Sequence, residues 1–429
     1  MQNQAESQQI ILEESKVYAN SIGAFTIVFL AGIYLFPERI KIFAVFFILA
    51  FVFVSFSGTQ KLLFDWHIVF WLAFLLIGFI TCIAYNPSSI GHAIEFIVSA
   101  AIGLLVTLKH LDGSTRKKIL IAILIVCALA FVGCVLQLIA PGFLLWWNRF
   151  ALGEEQYKGF LDFFSYGALT GFSYQTGVTA FYLAILEGML LSKLFSNNTK
   201  KRDKLWQLLL FLICYAFILL TRKRAQLLIV LLAAELMLCI HYRKHLFRIL
   251  AISLILISGV VILLFVTPVG QSILRRTFDS QDASTGRFKI YSQMLTHIQQ
   301  KPIFGNGFGS TLVFIRKFTN GHNIFLQVAS ETGVTGLLII LILFASYLVQ
   351  AFKTFKLQMA AKQDLTEISI CIFLQVNFLI SGLIGNPLYD VYPLFIYLLS
   401  VSAVASIYRE VVQQRGLSQN VPDAYFRSR

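Results

Sequence analysis

Apolar residues run along this chain in long blocks separated by short polar stretches. A helix that crosses a bilayer needs about 20 apolar residues, because each adds only about 1.5 Å of rise. Candidate blocks fall at 21–36, 40–57, 66–84, 90–108, 119–140, 167–191, 205–220, 225–240, 247–267, 333–352, 366–384 and 388–408. The pattern predicts an all-α polytopic membrane protein with about twelve spanning helices. The apolar stretch from 205 to 240 is interrupted by Arg222-Lys223-Arg224. One helix through it would be too long to span and would carry three cations near its middle, so a break is expected there.

Composition agrees. Of 429 residues 58% are apolar and 13% charged. A soluble domain carries roughly 25% charged residues, so a soluble fold is excluded. No long polar linker divides the apolar blocks, which predicts one membrane domain over 1–429. The six cysteines all lie in apolar runs and read as small core residues rather than a disulfide set. The polar, acidic segment 1–18 lacks the basic start and cleavage site of a signal peptide, so the first apolar block is expected to remain as a helix.

The formal net charge of +14 belongs to loops rather than to a nucleic-acid surface. Cytoplasmic loops of membrane proteins are rich in Lys and Arg, and no zinc-ligand spacing or single-strand-binding motif competes with that reading. The loop 109–118 carries four basic residues and 193–204 carries five; 243–248, 353–362 and the C-terminal tail follow. These loops alternate along the chain, which puts them and both termini in the cytoplasm. The turns 86–89 and 386–389 contain no Lys or Arg and belong outside.

Two outer segments break this rule. The loop 268–332 is long enough to be exempt from it. The turn 221–224 is not, and its cations call for an anionic ligand on that side. Guanidinium groups bind phosphate through paired hydrogen bonds, and a helix N-terminus adds unpaired N–H groups and a favourable dipole. Snorkelling to lipid headgroups is the alternative for the same residues. In the long loop stand Thr285-Gly286-Arg287-Phe288 and then Lys301-Pro302-Ile303-Phe304-Gly305-Asn306-Gly307-Phe308-Gly309. The first reads as an amphipathic loop helix. The glycines either make a turn or let backbone N–H groups approach a phosphate. Gly321-His322-Asn323 follows, with Gly333-Val334-Thr335-Gly336 after it. A histidine there can take a proton near neutral pH.

In order and spacing these segments resemble the superfamily of O-antigen ligases and Wzy-type polysaccharide polymerases. Arg224 and Leu228 match an Arg-x3-Leu motif, Arg287 and 302–307 an arginine followed by a Pro-x-x-Gly-x-Gly turn, and His322, Asn323 and Gly333 a His-Asn-x9-Gly motif. The motifs cover roughly 220–340; the first five helices match in hydropathy only. The resemblance implies a GT-C-like membrane fold of about twelve helices, with a large extracytoplasmic loop between the ninth and tenth that carries part of the active site. It implies a bacterial cytoplasmic-membrane glycosyltransferase, using an undecaprenyl-pyrophosphate-linked oligosaccharide donor and a glycan acceptor. A polymerase of repeat units is the first expectation, and a ligase to lipid A core or another acceptor the alternative. A flippase of lipid-linked sugars is a third class. Partners implied are membrane lipids and a chain-length regulator, with no nucleic acid.

On that reading Arg224 and Arg287 stabilise the departing pyrophosphate, helped by Arg222. His322 is the general base, and Asn323, Gly305 and Gly307 contact substrate. Glu331, nine residues after His322, is an alternative base or a group that orients a sugar. No Asp-x-Asp pair lies in the outer loops, so no metal or other cofactor is expected. His241 and His245 are expected to be solvated, and Asp279 and Asp282 to be loop-surface residues. Glu187 and Glu235 are expected to pair with cytoplasmic basic loops. Glu95, one turn from His92, is placed to line a cavity near the outer side.

Overall fold

The structure is a computed structural model. It describes residues 65–108, 110–196, 200–242, 286–315 and 321–419, with scattered positions between 247 and 271. The helices are α1 (Trp66–Tyr85), α2 (Ile90–Thr107), α3 (Gly113–Ile139), α4 (Pro141–Ala151), α5 (Glu154–Ser165), α6 (Thr176–Leu194) and α7 (Lys201–Leu220). Then come α8 (Arg224–His241), α9 (Arg287–Gln300), α10 (Ser310–Phe314), α11 (Ile324–Ala360), α12 (Thr366–Gly382) and α13 (Val391–Gln419). No strand occurs among the described residues.

Among the described residues eight helices are long and apolar enough to cross a membrane, and α12 is apolar but shorter. The all-α, polytopic character read from hydropathy therefore holds. The expected spans 21–36 and 40–57, and most of 247–267, lie outside the described residues. The expected break at 221–224 is present between α7 and α8. Inner and outer helices separate clearly: 83% of the spanning window of α6 and 78% of that of α13 are buried, against 11% for α7. The exposed leucines of α7 (Leu205, Leu208, Leu209 and Leu212) suit contact with lipid tails. All six cysteines are free, and all but the half-buried Cys239 are buried.

Three features depart from the hydropathy reading. The span expected at 167–191 starts at Thr176, because 166–175 is a loop entered through α4 and α5. These helices are too short to register as spans; α4 starts on Pro141, whose missing N–H would be unpaired there anyway. The loop is pinned by Gln137, whose Oε1 accepts from the N–H of Thr170 (2.9 Å) and Gly171 (3.0 Å), while its Nε2 donates to the Ala168 carbonyl (2.9 Å). Next, α11 begins at Ile324 rather than 333, and it is broken at Gly333 (φ 67°, ψ −170°). Lastly, Glu187 on α6 does not reach a basic loop: it is fully buried and both carboxylate oxygens lack a hydrogen-bond partner.

The bundle has two distinct ends. At one, the 166–175 loop meets the α7–α8 turn (Leu169 N–H to Leu220 O, 3.1 Å), and the α9–α10 loop meets α1 (Phe308 N–H to Gly78 O, 3.1 Å). At the other, Leu111 and Arg116 meet Ser406, Glu367 and Glu410.

Candidate functional site

The site is built where α11 begins. Asn323 is its N-cap: Oδ1 accepts from the backbone N–H groups of Phe325 and Leu326 (both 3.0 Å), and Nδ2 donates to the Leu383 carbonyl (3.0 Å). Both ends of this amide are engaged in holding the helix start. The residue before it, His322, is left-handed (φ 52°), a conformation that costs a non-glycine residue on the order of 1–3 kcal/mol. Surrounding bonds impose it. The Tyr291 hydroxyl donates to the His322 carbonyl (3.1 Å), and the Gly321 N–H donates to Gln327 Oε1 (2.9 Å).

Burial, first, and then the charges of Arg287 and Lys223 hold the His322 pKa below the ordinary imidazole value. A cation can act on the ring in this way only if it is close. Arg287 is the first residue of α9, after Gly286 (φ 88°), and Lys223 immediately precedes α8. The fold therefore brings the charges of two segments far apart in sequence within reach of one imidazole. Arg222 sits in the tight α7–α8 turn (φ 58°), and its Nε is buried without a partner. Its guanidinium faces Gly167, where a Cβ would lie 3.8 Å from Nη2. Arg224 is half-buried at the first position of α8. Of the residues expected from sequence, His322 and Arg287 come together. Arg222 and Arg224 flank the third member, Lys223, which sequence reasoning passed over although it is the middle of the same basic triplet.

The glycine run packs against a break in α11. At Gly333 α11 loses its regular hydrogen bonds, and the α9–α10 loop replaces them. The N–H groups of Asn306 and Gly307 donate to the carbonyls of Ser330 (3.1 Å) and Glu331 (2.7 Å), while Val334 and Thr335 donate to the carbonyls of Pro302 (2.8 Å) and Ile303 (3.2 Å). The Gly305 N–H donates to Lys301 O (3.0 Å). These N–H groups are thus committed to backbone carbonyls. The close fit explains the glycines: a Cβ on Gly305 would come within 2.4 Å of the Glu331 backbone, and one on Gly307 within 2.2 Å of Cys82 Cα. The plug is completed by Phe308, fully buried against Phe74 and Phe96.

Beside this junction lies a cavity of about 210 Å³ whose lining includes His92, Glu95, Phe96, Gln327, Glu331 and Asp390. Glu95 and His92 thus line a cavity, as expected. Its described lining holds three carboxylates and no Lys or Arg. Glu331 is fully buried and accepts from Gln327 Nε2 (3.1 Å) and the Tyr389 hydroxyl (2.8 Å). Gln327, Tyr389 and Asn386 carry no signal in the sequence alone.

His241 is not solvated as expected. Its ring stacks on Phe195 (centroids 4.2 Å apart) and its nitrogens lie 2.9 Å from the Met237 carbonyl and 3.0 Å from Ser369 Oγ. His245, Asp279 and Asp282 fall outside the described residues. Among the described residues no group of three or more His, Cys, Asp or Glu is placed to hold a metal ion.

Residues 208–341 match the family model described as O-antigen ligase (Wzy_C), which bears out the resemblance drawn from the motifs. No curated protein matches the chain. Among solved structures, one described as "Structural coordination of polymerization and crosslinking by a peptidoglycan synthase complex" aligns with 82% of this chain and 99% of that one. The identity is 16% and the TM-score 0.40, too low to carry an argument.

Proposed function

Proceeding from a segment 208–341 that matches the family model described as O-antigen ligase, we propose that this protein is a membrane glycosyltransferase that polymerises undecaprenyl-pyrophosphate-linked oligosaccharide repeats on the outer face of the cytoplasmic membrane. One observation carries this reading: the charges of Arg287 and Lys223, from two separate segments, both act on the His322 imidazole of a third.

The chemistry follows from their charges. Arg287 and Lys223, with Arg222 and Arg224 alongside, face the donor diphosphate. As the bond between the anomeric carbon and the pyrophosphate oxygen breaks, negative charge grows on the leaving group, and fixed cations stabilise it more than they stabilise the intact donor. The acceptor hydroxyl attacks the anomeric carbon from the opposite side, which inverts it, and passes its proton to His322. A lowered pKa keeps that imidazole neutral at pH 7 and able to accept the proton. The acid-lined cavity repels a diphosphate, while its carboxylates and aromatic faces suit the hydroxyls and rings of the acceptor sugar.

A ligase that moves the glycan to a separate acceptor is the second reading, favoured by the description of the matching family. Purified protein given lipid-linked repeats alone separates the two. A polymerase builds a ladder of products, whereas a ligase stays silent until its acceptor is added. A flippase forms no glycosidic bond in either assay, and that result would reject the proposal.

A further inference from the structure

The Gly321 end of the strained His322 turn is held by one side-chain oxygen. Gln327 Oε1 accepts from the Gly321 N–H at 2.9 Å and from Asn386 Nδ2 at 2.7 Å. Its amide nitrogen donates to Glu331 Oε1 at 3.1 Å, and the Tyr389 hydroxyl donates to Glu331 Oε2 at 2.8 Å. Gln327 and Glu331 are both fully buried or nearly so, at 1% and 0% exposure. The Gly321 N–H can only donate, so Gln327 presents its amide oxygen there and its nitrogen to Glu331. The chain of bonds thus runs from the helix break, across one turn of α11, to the residue before His322.

We propose that Gln327 is a positioning residue for His322: bonded to Glu331, it fixes the 321–322 turn so that the imidazole meets the acceptor hydroxyl beside Arg287 and Lys223. The inference rests on the reading of His322 as the base. Gln327 touches no reacting atom; its effect passes through the Gly321 N–H.

The pattern of donors and acceptors supplies its own test. In Q327E a second carboxyl faces Glu331; the two buried groups can join only by sharing one proton, and where both are ionised repulsion breaks the chain. In the double variant Q327E/E331Q the order is restored: Glu at 327 accepts from Gly321, from Asn386 and from the new amide at 331, whose oxygen still accepts from Tyr389. Full-length protein in lipid nanodiscs is assayed with lipid-linked repeat units extracted from the producing cells. Q327L and Q327E should each lower kcat about tenfold to a hundredfold, the size expected for a misplacement near 1 Å, with the donor KM little changed. Q327E/E331Q should recover at least about tenfold over Q327E. In Q327L the acid limb of the pH profile should also move up, because a loosened turn lets the imidazole escape the burial and the cations that depress its pKa.

A swap no more active than Q327E overturns the proposal. So does a Q327L profile that shrinks without moving, since partial unfolding alone scales activity and leaves the pKa in place. H322A, run in parallel, keeps the two readings apart. Intact turnover in H322A removes the base itself, whereas lost turnover there with a normal Q327L removes only the positioning role.

Discussion

At one end of the bundle Arg116 is 6% exposed and every nitrogen of its guanidinium is engaged. Nε meets Glu367 (2.6 Å), Nη1 meets Glu410 (2.7 Å) and the Leu111 carbonyl (2.6 Å), and Nη2 meets the other oxygen of Glu410 (2.8 Å). At the other end Arg222 keeps a buried Nε without a partner, and Arg287 and Lys223 lower the proton affinity of a histidine. The residue types are alike, but their surroundings differ. With four of its five N–H groups bonded inside the protein, that guanidinium ties α3 to α12 and α13. A cluster of cations that disfavours the protonated form of an imidazole also favours an anion beside it, such as a diphosphate.

The largest test of this contrast is His322→Ala. If the imidazole takes the proton, transfer should fall about 10²–10⁴-fold, the usual worth of general-base help. The melting temperature should stay within a few degrees, because the ring itself is not a core residue. Turnover at the native rate would remove the base from the mechanism. Next in size is Arg287→Ala, for which transfer should drop about 10²–10³-fold, as for other donors to a developing anion. Inorganic pyrophosphate should protect the native protein against thermal unfolding and lose that effect in the variant. Equal protection of both would show that Arg287 grips no diphosphate.

At the opposite end the expectation reverses. Arg116→Met strands Glu367 and Glu410, and removing one partner of a buried ion pair costs about 3–5 kcal/mol. Both carboxylates are partly exposed, so the lower figure, about 3 kcal/mol, is the expected loss. Turnover per folded molecule should be unchanged. A variant that melts normally but loses catalysis would erase the distinction between the two ends.

How much of this was legible in the sequence depends on whether the determinants are local. The α1 and α8 spans are bounded by local hydropathy, and 66–84 and 225–240 fall within a residue or so of Trp66–Tyr85 and Arg224–His241. His322 and Arg287 stand out in the sequence because the order of the motifs is a linear property. Asn323 stands out as well, but a polar residue just before an apolar run is also an N-cap signal, and the structure uses it as one. Gly305 and Gly307 were recognised as needing freedom from a Cβ. Sequence cannot say whether the close neighbour is a phosphate or a helix backbone, since both demand the same bare N–H and the same positive φ. The partners of Glu331 were illegible for a simpler reason: Tyr389 is 58 residues away, and no local pattern links them.

The smallest expected effect probes how α9 brings Arg287 to the site. His297, on the same helix, is 5% exposed; its Nδ1 lies 2.7 Å from Ser330 Oγ, its ring stacks on Phe314, and Asn306 Nδ2 donates to its carbonyl at 2.9 Å. Burial pushes its pKa down from 6.5 to about 4. The docked helix therefore refuses a proton that the undocked helix accepts. The contribution to docking is complete above pH 6.5 and is lost progressively as the pH falls toward 4. A shift of that size corresponds to about 3 kcal/mol at the acid limit, and to less at pH 5. The protection factors of the backbone amides in α9 and the 301–309 loop should thus fall between pH 7 and pH 5, once the slower intrinsic exchange at low pH is divided out. H297Q, which cannot titrate, should abolish that fall. If the pH dependence survives in H297Q, another group undocks the helix. If it disappears while catalysis still falls at low pH, that remaining fall belongs to His322, and docking and proton transfer are separate functions of two histidines in one loop.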